Sequence, residues 1–186
     1  MTLDLPQVGE ILSGFSAAVF RLELRDTYTS ASDGGDVARY LAGQPSPDPA
    51  RKAPLLARLR AERAEGRRRQ RVHVVRSPLS PYLCYECEWG YAPNAEAGED
   101  IRILDLAERP LPPALQGFDH DFWLVDGETV IRMHYDGDGR FAGAEILAPA
   151  ELPLYLAARD AALAAAEPFP SYWNRHPQFH RANQAA

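Results

Sequence analysis

The sequence predicts an α+β domain: an antiparallel sheet of about five or six strands, a hairpin plus a meander, with flanking helices mainly on one face. Three observations carry this. Apolar residues recur at helical spacing before Gly66 and after Ala148, and between them the period falls to two over several short runs. Asp-Gly pairs at 126–127, 136–137 and 138–139 punctuate those runs, the strongest short hairpin signal. No strand–helix alternation of the kind a parallel sheet needs is visible.

Taken in order, Val8, Ile11, Leu12 and Phe15 stand at i, i+3, i+4 and i+7, predicting a helix over residues 7–18. Residues 20–24, FRLEL, alternate apolar and charged and read as a short strand, broken by TYTSASDGG. Asp33 or Gly35 opens a short helix over Val37, Tyr40 and Leu41. The prolines of GQPSPDP forbid helix from Gly43 to Pro49. A second amphipathic helix then runs from Pro49 to Glu65, with Leu55, Leu56 and Leu59 inward and Gly66 ending it; Pro54 offers an alternative start.

Val72 and Val74 alternate with Arg71 and His73, SPLSP makes a stiff turn, and Leu83, Tyr85, Cys87 and Trp89 alternate with Tyr82, Cys84, Glu86 and Glu88, so a hairpin is expected here. Ile101 and Ile103 begin another strand. FWLV, TVIRMHY and FAGAEIL form the meander, and a closing helix spans residues 149–166. One domain is therefore expected over residues 1–166, with a loosely ordered tail from 167 to 186.

A chain of 186 residues with 46% hydrophobic and 25% charged residues can bury one core, and no apolar run approaches a membrane span. Without a basic segment leading into an apolar one at the N-terminus, a soluble cytoplasmic protein is expected, its two cysteines reduced. Between Arg51 and Arg76 lie ten basic and two acidic residues, so that segment carries +8 while the remainder carries −14. The basic stripe of Arg58, Arg60, Arg63, Arg67, Arg68, Arg69 and Arg71 reads as a partner-binding surface, or as charge absorbed by the protein's own acidic sheet or by a second copy.

Cys84 and Cys87 form a CxxC, but on a strand residues three apart point to opposite faces, and no second pair completes a zinc site. DGDG at 136–139 places Arg140 and Phe141 where a calcium loop needs an oxygen ligand and a glycine. No phosphate-loop, dinucleotide, nucleophile-elbow or zincin motif occurs, so neither cofactor nor metal is expected. If Val72, Val74, Leu83, Tyr85, Ile101, Ile103, Ile131, Met133 and Tyr135 face the core, the opposite face gathers Arg71, His73, Glu86, Glu88, Arg102, Arg132 and His134. Of these, His73, Glu86, Arg132 and His134 have the chemistry of acid-base catalysis on a phosphodiester. The same residues also suit cross-strand ion pairs on a wet sheet face. Trp89, Trp123 and Tyr135 are candidates for lining a small-molecule pocket.

RVHVVRSPLSPY (71–82), APNAEAGEDIRIL (92–104) and DFWLVDGETVIRMHYDGDGRFAGAE (121–145) closely resemble an actinobacterial family of unknown function, over roughly Phe15 to Tyr172. Members tend to be encoded near helix-turn-helix regulators, so the resemblance implies a regulatory setting. The leading expectation is a non-enzymatic binding protein whose partner is such a regulator, with nucleic acid and a homodimer as other partners. A phosphodiester- or RNA-acting enzyme and a small-molecule sensor are the alternatives.

Overall fold

A computed structural model describes residues 2–30 and 33–184, so Ala31 and Ser32 of the expected break lie outside the described residues. The strands are β1 (Thr2–Leu3), β2 (Ala18–Glu23), β3 (Arg68–Val75), β4 (Asp100–Asp105), β5 (Phe122–Val125), β6 (Thr129–Tyr135), β7 (Phe141–Ile146) and β8 (Glu167–Pro168). They form one eight-stranded sheet in the order β1-β7-β6-β5-β2-β3-β4-β8. The helices are α1 (Leu5–Ser13), α2 (Asp36–Leu41), α3 (Pro49–Ala64), α4 (Pro81–Tyr85), α5 (Ala92–Ala97), α6 (Leu152–Ala165), α7 (Phe169–Arg175) and α8 (Arg181–Gln184). A π turn over Glu86–Tyr91 joins α4 to α5.

The α+β class stands, but the sheet is mixed rather than antiparallel. β2, β3 and β4 run parallel, and the remaining neighbours are antiparallel. Parallel neighbours need a crossover of a dozen or more residues. The first crossover contains α2 and α3, and the second is the Pro81–Ala97 stretch, of which residues 82–89 were expected to be half of a hairpin. That stretch is helical because Ser80 caps it: its side chain accepts from the Leu83 amide at 3.1 Å, and Pro81 occupies the first turn. The apparent alternation through Trp89 was one reading of residues that also fall at helical spacing, since Leu83, Cys84, Cys87 and Tyr91 are all buried. The edge strands β1 and β8 have two residues each, too short to show a period.

The correction reaches the CxxC. Three apart on a helix, Cys84 and Cys87 share a side rather than opposing faces. Both are buried thiols, and burial, with the nearby Glu86, pushes the Cys87 thiol well above its usual range.

Helix starts follow their caps. Asp4 accepts from the Gln7 amide and Gln7 returns the bond to the Asp4 amide, both at 2.9 Å, so α1 begins at Leu5 rather than Gln7. Asp48 caps α3 and Pro49, not Pro54, lies in its first turn. Asp126 of the β5–β6 turn takes φ +52°, and its carboxylate accepts from the amides of Ser16, Ala17 and Ala18 at 2.8, 2.7 and 3.0 Å. The meander's first turn thus also fixes the start of β2. In the second turn, Asp136 accepts from the Asp138 and Arg140 amides, both at 2.9 Å, a reverse-turn use of the DGDG run.

Both faces of the sheet are packed. On one, α6 lays Tyr155, Ala158 and Ala162 over Phe20, Leu22, Val72, Val74, Leu104, Phe122 and Leu124. On the other, α1 covers Val19, Trp123, Ile131 and Met133, while the α4–α5 stretch and α7 cover Val75, Ile101 and Ile103. The expected inner set therefore divides. Val72 pairs with Arg102, not with Ile101, so Val72 and Val74 face α6 whereas Ile101, Ile103, Ile131 and Met133 face the opposite layer. Nor is the chain loose from residue 167: β8 pairs with β4, and Phe169, Tyr172 and Phe179 are buried. Tyr172 hydroxyl donates to Asp105 at 2.9 Å, which ties α7 to the end of β4.

Replacing Ser80 by Ala removes the cap and is expected to lower stability by about 1 kcal/mol. Urea unfolding should show a reduced midpoint with an unchanged slope; an unaltered midpoint would contradict the capping role.

Candidate functional site

β2 lies near the middle of the sheet, so both of its faces are covered. Phe20 and Leu22 meet α6, and their alternates Arg21 and Glu23 are buried on the other side at 7% and 3% exposure. β3 brings Arg71 beside Arg21 and His73 beside Glu23 through the parallel register. The Arg21 Nε donates to Glu23 Oε1 at 2.6 Å, Arg71 Nη1 donates to Glu23 Oε2 at 2.6 Å, and Arg71 Nε donates to Glu99 Oε1 at 3.0 Å. Asn94 Nδ2 completes Glu99 at 3.0 Å. At the other end Arg21 Nη2 donates to Asp121 Oδ2 at 3.2 Å and to the Tyr135 hydroxyl at 2.9 Å, and Tyr28 hydroxyl donates to Asp121 Oδ2 at 2.6 Å.

Burial alone would raise the Glu23 carboxyl, but the Arg71 and Arg21 guanidiniums outweigh it and hold Glu23 well below the usual carboxylate range. For Asp121 the balance reverses: burial dominates and raises it despite Arg21.

The π turn supplies the rest. The Ala92 amide bonds the Cys87 carbonyl, five residues back. The turn directs Glu86 and Tyr91 at the same imidazole: Tyr91 hydroxyl lies 2.7 Å from His73 Nδ1, and Glu86 Oε2 lies 3.8 Å from it. His73 Nε2 is 2.8 Å from the Arg25 carbonyl, which only accepts, so this nitrogen carries a proton. Tyr91 hydroxyl is also 2.8 Å from Glu23 Oε2. The Tyr91 hydroxyl thus bridges Glu23 and His73.

Glu86 stands apart from this pairing. Its Oε2 is buried with no hydrogen-bond partner among the described residues. Burial, reinforced by the Glu23 charge, pushes its carboxyl up to about 8, against partial relief from Arg71 and Arg21. Glu86 lines a cleft of about 760 Å³ between α1, the sheet and the loop after β2. Leu5, Val8 and Leu12 form one apolar wall, with Trp123, Met133 and Phe141 on the sheet side; Arg21, Glu23, Tyr28, Tyr82 and Tyr135 furnish the polar end. The Trp123 Nε1 donor is likewise buried without a partner.

The residues singled out from sequence are distributed as follows. His73 and Glu86 meet, but Arg132 and His134 do not join them. Glu23 shares a face with Arg21, Arg21 opposes Trp123, Trp123 opposes Ile131, and Arg132 and His134 alternate with Ile131 and Met133 onto the other face. Arg132 and His134 instead reach Glu145 at 3.5 and 3.1 Å. The quartet is therefore two sites, and catalysis by the four together is excluded by the pleat. Of the arginine stripe, Arg58, Arg60, Arg63 and Arg68 are exposed and Arg67 is half-buried against Glu65 and the Phe15 carbonyl. Arg69 is buried in a two-bond pair with Glu62, both at 2.8 Å, and Arg71 belongs to the interior network, so neither presents a surface. Trp123 and Tyr135 line the cleft. Trp89 does not: it is buried elsewhere, edge-on to Tyr40 at 5.2 Å between ring centres.

Arg21, Glu23, Tyr28, Tyr91, Glu99 and Asp121 were not singled out. The one available signal was FRLEL, whose charged alternates imply a wet face only if the strand is at an edge.

A family model for a domain of unknown function, DUF6879, matches residues 6–174. The chain belongs to that family. No curated protein matches it. The matched span contains every residue of the buried network and all of the cleft lining except Leu5.

Two substitutions separate the network from the cleft acid. Glu23→Gln strips charge from a centre facing two buried guanidiniums and is expected to cost about 3–5 kcal/mol in urea unfolding. Glu86 has the opposite character. Its folded carboxyl titrates higher than its unfolded one, so its contribution to stability is most favourable below about pH 4.5 and is lost as pH rises to about 8. Glu86→Gln lacks that loss, so its stability relative to the parent protein should climb between pH 5 and 8. A flat difference across that range would show that Glu86 is not a buried acid.

Proposed function

We propose that the protein is a small-molecule-binding protein whose ligand is an organic cation with an apolar body. The observation that carries this is a buried carboxyl oxygen on Glu86 that has no hydrogen-bond partner among the described residues and lies in the wall of one cleft of about 760 Å³, beside the Trp123 ring. Buried polar groups are normally satisfied, and those left open at a cavity wall fit a ligand's own groups. The volume falls inside the roughly 300–1,000 Å³ typical of small-molecule clefts.

Charge pairing favours a cation. Glu23 is held by Arg21 and Arg71, Asp121 by Arg21 and Glu99 by Arg71, whereas Glu86 makes no arginine ion pair among the described residues. An arriving ammonium would find Glu86 as its counter-charge and the rings of Tyr28, Tyr82, Trp123 and Tyr135 around it, faces that attract cations. The apolar wall of Leu5, Val8 and Leu12 accommodates the ligand's body.

A second reading places the protein beside a helix-turn-helix regulator as its protein partner. It rests on Arg60, Arg63 and Arg68, which are exposed and make no ion pair among the described residues. Co-elution with such a regulator, abolished by charge reversal at these three positions, is the result that reading requires.

The cation reading is tested by thermal shift against a panel of aromatic and alkyl amines with their neutral and carboxylate analogues as controls. Amines should raise the melting temperature, and Glu86→Gln should remove the shift while leaving the unliganded protein folded at pH 7. Stabilisation by carboxylates, or an amine response that survives Glu86→Gln, would overturn it.

A further inference from the structure

A separate cavity of about 330 Å³ opens at the end of the sheet where β2 finishes, β5 begins and β6 ends. Its lining is Arg25, Asp119, His120, Asp121, Arg132, Met133, His134 and Tyr135. Two guanidiniums and two imidazoles therefore converge on a space that is independent of Glu86 and of the amine reading.

The two arginines are under-used. Arg25 makes no ion pair among the described residues; its contacts are a long bond from Nη2 to the Asp136 carbonyl at 3.4 Å and a position 5.6 Å from the centre of the Tyr135 ring. Its Nε is buried with no partner among the described residues, and so is the Nε of Arg132. Arg132 reaches Glu145 and Glu151 only at 3.5 and 3.7 Å, and its one close bond is from Nη2 to the Tyr155 hydroxyl at 3.0 Å. Both acids of the lining are already engaged. Asp121 accepts from Leu24, Arg21 and Tyr28, and Asp119 meets His120 Nδ1 at 2.9 Å.

A hydrogen-bonded chain fixes the far wall. With His120 Nδ1 donating to Asp119, Nε2 is left as an acceptor 2.9 Å from the Tyr155 hydroxyl, which donates to it and accepts from Arg132. This holds Arg132 in orientation while its Nε–H has no acceptor among the described residues. Two buried guanidinium Nε–H groups without acceptors beside one cavity call for an acceptor-only group that offers several oxygens.

We propose that this cavity binds a tetrahedral oxyanion, the phosphoryl group of a small phosphate monoester, between Arg25 and Arg132 with His120 and His134 at its sides. Two guanidiniums that border one cavity, each with an open Nε–H, suit the several oxygens of a phosphoryl better than the two of a carboxylate.

Isothermal titration with inorganic phosphate at low ionic strength tests this, with acetate as the planar control. Expected is saturable one-to-one binding, stronger than that of acetate, weakened at least tenfold in Arg25→Gln and in Arg132→Gln and partly retained in Arg25→Lys. Arg25 is a half-buried loop residue and its Gln variant keeps all the strand contacts, so it remains informative if Arg132→Gln fails to fold. In the unsubstituted protein, the arginine Nε–H resonances of Arg25 and Arg132 should shift on phosphate addition. Absence of saturable binding, equal affinity in Arg25→Gln, or shifts confined to the arginines of α3 would each overturn the proposal. Amine binding in Arg25→Gln should be unchanged, which separates this site from the cleft.

Discussion

Placing four charged residues, Arg21, Glu23, Arg71 and Glu99, in the interior layer of a sheet imposes a condition on everything around them. Each ion removed from water costs several kcal/mol unless its partner and its remaining hydrogen bonds are in place. The register of β2 against β3 sets Arg21 beside Arg71 and Glu23 beside His73, and Glu23 accepts from both guanidiniums, one from its own strand and one from its neighbour. Asn94 at the end of the second crossover and Tyr91 in its π turn supply the remaining bonds. Slipping either strand by one residue would turn these ions into the α6 layer, among Phe20, Leu22 and Val72. The network therefore specifies one register more sharply than the apolar residues alone would.

Both cavities follow from that constraint. Covering the ionic layer takes two helical crossovers and α1, and where these covers do not meet, between α1 and the loop after β2, the larger cleft is left. At the sheet's end, Asp121 is drawn inward by Arg21, Tyr28 and the Leu24 amide, which leaves Arg25 and Arg132 without that carboxylate and opens the second cavity. Tyr135 borders both spaces. One interior acid is satisfied at the expense of the guanidiniums just beyond it.

Much of the fold was legible from residues whose signal is local. Asp126-Gly127 and the alternating runs beside it defined the meander, and Leu55, Leu56 and Leu59 defined α3. The sheet's parallel half was not, because Pro81–Trp89 satisfies both a strand period and a helical one, and the local signal for the helix is only its start, Ser80 as cap followed by Pro81. Mistaking that segment displaced the rest: it hid the parallel crossover, put Val72 on the same face as Ile101, and joined His134 to His73. Of the candidate site, Glu86, His73, Trp123 and Tyr135 were visible as chemically capable residues. Arg21 and Glu23 were not, since charged alternates in FRLEL describe an exposed face equally well, and only the neighbours of β2 reveal that they are inside. Five residues of the basic stripe lie at the surface to some degree, but Arg69 and Arg71 are committed inward, so composition overstated the charge available to a partner.

The π turn between α4 and α5 carries a consequence for how the chain tolerates changes in length. An α-helix advances about 100° per residue. Removing one residue from Glu86–Tyr91 would leave a regular helix with every backbone bond made, yet rotate one of Glu86 and Tyr91 by that angle relative to the other and away from His73. Between those two residues a substitution can preserve the site while a one-residue deletion cannot. The segment is thus constrained in the number of its residues as well as in the identity of Glu86 and Tyr91.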